Sequence, residues 1–233
     1  MGHLNAQHGL LLGHTSKDGT APFYGVAPLA NASRDEWATA MHRRFGKRAP
    51  EVMAHYPLSR FVNRSRVPAA PQSYVEADAD VCIACPVRTM ATLAARVAKV
   101  PTYTYVFAHC HVPCDAGFEL QVLPWWLPKQ ELAGCGWGSH GGDNKFVFHT
   151  NHGDDTLQAA PYPREDCPFD TDEHALATYM GGRWAAFAKG EAPWWPFLGG
   201  RNGTRTAKLE VGRAWESPLV DFKADDCKFW PTE

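Results

Sequence analysis

Gly9-Leu10-Leu11-Leu12-Gly13-His14-Thr15-Ser16-Lys17-Asp18-Gly19-Thr20 begins as an apolar run between glycines and ends as a polar turn. Apolar character without alternation suits a strand covered on both faces, so Gly9 to Gly13 is expected to be a buried strand of a parallel sheet. The turn then lies at the strand's C-terminal end, where α/β sheets place their chemistry. A second unit points the same way. Cys85-Pro86 opens a predicted helix, with Pro86 in its first turn, Met90, Leu93, Ala94 and Val97 on one apolar face, and Pro101 as its stop. Thr102-Tyr103-Thr104-Tyr105-Val106-Phe107 follows, rich in β-branched and aromatic residues, and reads as a strand. Helix then strand is the crossover unit of a mainly parallel sheet, which sets the class as α/β.

Further out, Trp37, Met41, Phe45 and Val52 recur at helical intervals between Asp35 and His55, with a break expected near Pro50. Residues 57–80 are proline-rich and polar and read as irregular, as do residues 109–139 around Trp125-Trp126. Phe146-Val147-Phe148 fits either a helix start or a strand. Residues 149–172 read as a surface excursion. Glu173 to Lys189 reads as a helix burying Leu176, Tyr179, Met180, Trp184 and Phe187, locally weakened by Gly181-Gly182 and stopped by Gly190. Leu209-Glu210-Val211 is the expected final strand. No internal repeat interrupts the chain, which reads as one domain or a piece of one.

The 233 residues carry 23 Lys+Arg against 25 Asp+Glu, a formal charge of -2 that gives no electrostatic footprint for nucleic acid. No apolar stretch is long enough to span a bilayer, and the start MGHLNAQHG lacks the pattern of an export signal. Seven cysteines and three N-x-S/T sequons, at Asn31, Asn63 and Asn202, favour a secretory history, with the sequons as candidate glycosylation sites.

Several motifs, in matching order, resemble the C-terminal half of type-B carboxylesterases, the family that includes cholinesterases and neuroligins. Ser16-Lys17-Asp18-Gly19-Thr20 is similar to the family's acid turn, where a Glu normally precedes the glycine. Cys85-Pro86 with its helix and the strand ending Phe107-Ala108-His109 resembles the next segment. His140-Gly141-Gly142-Asp143-Asn144-Lys145-Phe146-Val147-Phe148 resembles the histidine-glycine motif and is the most specific match. Trp184-Ala185-Ala186-Phe187-Ala188-Lys189-Gly190 and Cys227-Lys228-Phe229-Trp230 resemble the late-helix and terminal signatures. The resemblance implies a single incomplete type-B carboxylesterase domain over residues 1–233, with the C-terminal part of the sheet and its flanking helices, and the serine-bearing N-terminal half absent.

It also implies roles. A serine esterase needs a hydroxyl activated by an imidazole and a carboxylate that orients the imidazole, in chain order serine, acid, histidine on α/β-hydrolases. By resemblance Asp18 is the orienting acid, His140 the general base and acid, and Asp143 a supporting hydrogen-bond acceptor. Asp in place of Glu at position 18 shortens the reach by one methylene. No G-x-S-x-G occurs; the nearest imitation is Ser139, where Trp137 replaces the first glycine and His140 follows directly. The glycine-rich oxyanion loop is missing as well, so no nucleophile is assigned and the isolated chain is expected to be inactive.

The resemblance pairs Cys85 with Cys227 as a disulfide and leaves Cys82, Cys110, Cys114, Cys135 and Cys167 without counterparts. Zinc is an alternative use of Cys82 with Cys85, or of Cys110-His111-x-x-Cys114, but the first pair is explained by the disulfide and the second lacks companion ligands, so no metal and no cofactor are assigned. Trp125-Trp126 is either a pocket wall for an ester or a packing pair. The expected partners are a small carboxylic ester, once the fold is completed, and the N-terminal half or another protein. The competing expectation is a non-catalytic, neuroligin-like binding protein or an inactive truncated homologue.

Overall fold

Leu10–Thr15 forms strand β1 and pairs in parallel with β2, Thr102–Phe107, in a register that sets Leu10 opposite Thr102 and Thr15 opposite Phe107. The computed structural model describes residues 9–18, 32–62, 68–109, 140–149, 169–198, 203–212 and 217–230. Strand β3, Arg205–Leu209, adds in parallel to β2, and the short β4, Leu219–Val220, closes that side antiparallel. The order is β1-β2-β3-β4, so the sheet is mixed and β1 is its edge among the described residues. The expected strand at Leu209-Glu210-Val211 is corrected: β3 is Arg205–Leu209, with Thr206, Ala207 and Leu209 buried, and Val211 lies beyond the strand, half-buried against the core around Leu209.

Helix α1, Arg34–Phe45, starts at Ser33, whose hydroxyl accepts from the Glu36 N–H while Glu36 reaches back to the Ser33 N–H. The break expected near Pro50 falls instead at Gly46, which adopts a φ of 56° and leads into a 3-10 turn. Pro50 lies in the first turn of α2, Ala49–His55, where its missing N–H has no helical partner to lose.

The described part of residues 57–80 is not irregular: a 3-10 turn lies at Leu58–Arg60 and α3 spans Ala69–Ala79. The residues that read as loop composition are buried and paired with distant groups. Ser73 Oγ donates to the Tyr56 carbonyl at 2.6 Å, Asp78 pairs with Arg44, and Asp80 accepts the Tyr56 hydroxyl at 2.9 Å. Cys85-Pro86 opens the expected helix, with Pro86 in its first turn. A π turn at Asp80–Ala84 carries α3 directly into α4, Cys85–Arg96, and its widened ladder precedes Pro86, which has no N–H to give. The buried face of α4 is Ala91 and Ala94, small enough to bring the helix close to the sheet, whereas Met90, Leu93 and Val97 are exposed.

After β2, Gly142–Phe148 forms α5, which resolves the open reading of Phe146-Val147-Phe148 as a helix. Helix α6, Thr171–Ala188, starts two residues earlier than expected, because Asp170 and Glu173 form a reciprocal cap. Tyr179, Trp184 and Phe187 of α6 are only half-buried. Gly181 lets α6 approach α5: a Cβ there would lie 3.3 Å from the Val147 carbonyl oxygen. The chain ends in α7, Ala224–Phe229, joined to α4 by a Cys85–Cys227 disulfide that spans 142 residues. Two cores result. One packs Trp37, Met41, Val52, Tyr56, Val75 and Trp230; the other packs Phe107, Phe146, Phe169, Leu176, Met180 and Leu209 around the sheet end.

Candidate active site

The ladder between β1 and β2 continues one step past Thr15, since the Ser16 N–H donates to the Phe107 carbonyl at 2.7 Å. The chain then turns, and Asp18 closes the turn by accepting the Thr15 N–H on Oδ2 at 2.7 Å. Its other oxygen, Oδ1, lies 2.8 Å from Nδ1 of His140, a residue 122 positions further on. An ionised carboxylate can only accept, so the proton of this bond sits on Nδ1 and Nε2 carries the lone pair. Asp18 is 5% exposed and the His140 side chain 53% exposed, so the carboxylate is withdrawn from water while the ring remains reachable. The hydrogen bond donated to Asp18 raises the imidazole pKa above its ordinary value, with burial opposing and the Asp18 and Asp143 charges adding. Asp in place of Glu does not lose this contact.

His140 is placed from the other side by α5. Gly141 takes a left-handed φ of 74°, and the helix begins at the next residue. Asp143 in its first turn accepts the Tyr105 hydroxyl of β2 at 2.7 Å. The predicted acceptor role of Asp143 is thus directed at Tyr105. Burial pushes the Asp143 carboxyl up, against the donated hydrogen bond, and burial together with Asp143 pushes the Tyr105 phenol up. Tyr105 is wedged edge-on against Trp184 and Trp194, at ring-centroid distances of 4.9 and 6.2 Å.

Two features escaped the sequence reading. His14, one residue before the end of β1, is buried, with Nδ1 2.7 Å from the Thr15 carbonyl and 4.0 Å from Asp18 Oδ2. Burial lowers its pKa, although Thr15 and Asp18 pull the other way, so the two histidines beside Asp18 are driven in opposite directions. Its place at a strand end was the available signal. The second feature is a buried ionic network beside the acid turn. Lys17 and Lys223 both pair with Glu76, and Lys223 also reaches Asp80 at 2.9 Å and Asp226 at 3.7 Å. Glu76, Asp80 and Asp226 converge closely enough to suggest a cation site, but the lysine ammonium groups already supply the positive charge at that point.

His109, from the Phe107-Ala108-His109 segment, pairs with Glu173 at 2.7 Å and packs edge-on against Phe146. Cys82 is an exposed free thiol beside Arg44. Ser139, Trp125-Trp126, Asn31, Asn63, Asn202, Cys110, Cys114, Cys135 and Cys167 lie outside the described residues.

No protein-family model and no curated protein matches the chain. Solved structures do. The chain is similar to EstA of Aspergillus niger at 14% identity and a TM-score of 0.62, with 95% of this chain and 39% of that one covered. Juvenile hormone esterase from Manduca sexta, solved with OTFP covalently attached, gives 17% identity, a TM-score of 0.53, and coverage of 94% and 40%. PNB esterase gives 18%, 0.54, and coverage of 96% and 38%. The fold is a partial α/β-hydrolase fold. The chain spans about two fifths of the length of these esterases. Among the described residues no helix is long and apolar enough to cross a membrane.

Proposed function

We propose that this chain is the acid-and-histidine portion, the C-terminal part, of a carboxylic ester hydrolase that is completed by a serine-bearing portion its own sequence lacks. The observation that carries this reading is the bond between Asp18 and His140, joining a strand-end turn to a histidine two residues before a helix within an esterase-like fold. With Nδ1–H held by Asp18, the Nε2 lone pair takes the proton of a serine hydroxyl as it attacks the ester carbonyl. The imidazolium then gives that proton to the leaving alcohol, and in the second half-reaction the neutral ring activates water against the acyl-enzyme. Asp18 holds the ring in place and stabilises the imidazolium. This chemistry calls for no cofactor; the substrate class is a small carboxylic ester. The sequons and the disulfide support a secretory setting for the whole protein.

The serine-bearing portion has a surface to occupy. β1 is an edge among the described residues, yet its sequence is that of an interior strand. On α4, Arg88 reaches Thr204 and the Phe222 carbonyl on the β3 side. At 100° per residue, Met90, Leu93 and Val97 fall on the opposite flank, toward the β1 edge, and all three are exposed. An unpaired edge and an apolar flank side by side suit a strand and a helix supplied from elsewhere in the same fold.

The test is to sequence the native transcript through its 5′ end and treat the expressed protein with a fluorophosphonate probe. An in-frame G-x-S-x-G whose serine is labelled, with labelling lost in His140→Ala, supports the hydrolase. A product of 233 residues that takes no label, alone or in its native complexes, overturns it. That outcome leaves the second reading, a non-catalytic neuroligin-like binding protein or inactive homologue, which the missing G-x-S-x-G favours.

A further inference from the structure

The Asp18 turn is held on two sides by adjacent residues. Asp18 faces His140, and Lys17 extends to Glu76 on α3. The side chains of Lys17 and Glu76 are 16% and 12% exposed, so the pair is shielded from solvent screening. Glu76 is the hinge of the network, because its second oxygen takes Lys223, which runs on to Asp80. Asp80 is fixed by the Tyr56 hydroxyl at 2.9 Å, and that hydroxyl accepts the Trp230 indole N–H at 2.9 Å. The acid turn is thereby tied to the helical core that the Cys85–Cys227 disulfide closes. Three carboxylates, Glu76, Asp80 and Asp226, meet three cations, Lys17, Lys223 and Arg60, which keeps the buried charge balanced. Burial opposes ionisation of Glu76, but the two ammonium groups outweigh it and hold its carboxyl well below the usual range.

We propose that Lys17, through its buried ion pair with Glu76, is a positioning residue that fixes the turn presenting the Asp18 carboxylate to His140. The proposal rests on the reading of Asp18 and His140 as a catalytic pair and adds what sets their geometry. Among the described residues the Thr15 N–H is the anchor of Asp18 from within the turn, and one short-range bond does not fix a carboxylate to the fraction of an ångström that proton transfer requires. The Lys17 tether supplies a second anchor from a different element. The charged and titratable groups facing the pair are Asp143 from α5, His14 from β1 and, behind Asp143, Tyr105 from β2; His14 also feels the Glu76 and Lys223 charges of the network.

The experiment reads the His140–Asp18 coupling without turnover. Diethylpyrocarbonate acylates only the neutral imidazole, so the pH dependence of His140 modification, resolved by peptide mass on the full chain at submicromolar concentration, gives its midpoint. In Lys17→Met the midpoint falls by about half a pH unit toward the ordinary histidine value, because the carboxylate drifts from Nδ1; Lys17→Arg restores it. Tyr56→Phe weakens the core end of the same network and leaves the midpoint in place, which a general loss of stability would not do. Should circular dichroism show Lys17→Met unfolded, Lys17→Gln, which keeps a donor but no charge, reads the same shift. An unchanged midpoint in a folded Lys17 variant, or an equal shift in Tyr56→Phe, overturns the proposal. Asp18→Asn separates the two readings: if it leaves the His140 midpoint unmoved, the catalytic pairing itself fails, whereas absence of probe labelling in the native protein removes the esterase and leaves the tether standing.

Discussion

Gly13 faces Tyr105 across the β1–β2 ladder, and a methyl group at position 13 would overlap the tyrosine ring. The ring has nowhere to go, since Trp184 and Trp194 flank it and its hydroxyl is bound to Asp143. Gly13→Ala is therefore expected to lower stability by about 2 kcal/mol in urea unfolding, as overpacking of a filled site does. Tyr105→Phe removes only the hydroxyl and leaves Asp143 buried without its donor, with an expected loss of about 1–2 kcal/mol in the same measurement. The histidines make opposite contributions. His140, with a raised pKa, adds stability that is fully present below pH 6.5 and lost as pH rises through its higher folded value. His14, with a lowered pKa, adds stability that is present above pH 6.5 and lost as pH falls. In the proposed hydrolase the rising limb of kcat/KM follows His140 deprotonation and should lie above pH 6.5. Asp18→Asn should move that limb downward and reduce kcat by about 10⁴-fold, because the amide no longer fixes the Nδ1 proton. A limb unmoved by Asp18→Asn would contradict this assignment.

The helical run from Ala69 to Arg96 is one element made of three pieces, α3, the π turn and α4. Ser73, Asp78 and Asp80 face inward because Tyr56, Arg44 and Lys223 come from other parts of the chain to meet them. An amphipathic pattern is consequently hidden: a periodicity of apolar residues marks burial only where burial is apolar. Met90, Leu93 and Val97 show the converse, apolar positions with helical spacing that are exposed. The Cys85–Cys227 disulfide clamps this run to α7 across 142 residues. Chain-entropy reasoning for a loop of that size gives an upper value of about 5 kcal/mol, and removing a native disulfide commonly costs about 2–5 kcal/mol. Cys227→Ser should lower the urea midpoint of the completed protein accordingly; an unchanged midpoint would mean that the ion pairs of α7 alone hold it.

At the scale of the whole molecule, the edge of β1 and the exposed flank of α4 predict that residues 1–233 alone self-associate or unfold in part. Sedimentation velocity should show heterogeneous species that resolve when the serine-bearing portion is supplied, and Leu93→Glu with Val97→Glu should reduce them. A monomeric, cooperatively unfolding sample of the 233 residues would contradict this expectation. The sequence by itself determined the α/β class and the span of β2, while its resemblance to type-B carboxylesterases implied the pairing of Cys85 with Cys227, which the structure contains, and pointed to Asp18 and His140. The first two rest on local chemistry, apolar and β-branched runs; the others rest on motifs similar to that family's, an acid turn, a cysteine-proline pair and a histidine followed by two glycines. Only the tertiary structure decided that Asp18 and His140 meet at 2.8 Å, that Asp143 serves Tyr105, and that a polar stretch around Glu76 is a buried helix. Those outcomes depend on partners 38 to 147 residues away, and an ion pair or hydrogen bond across that distance leaves no periodic trace in the chain that forms it.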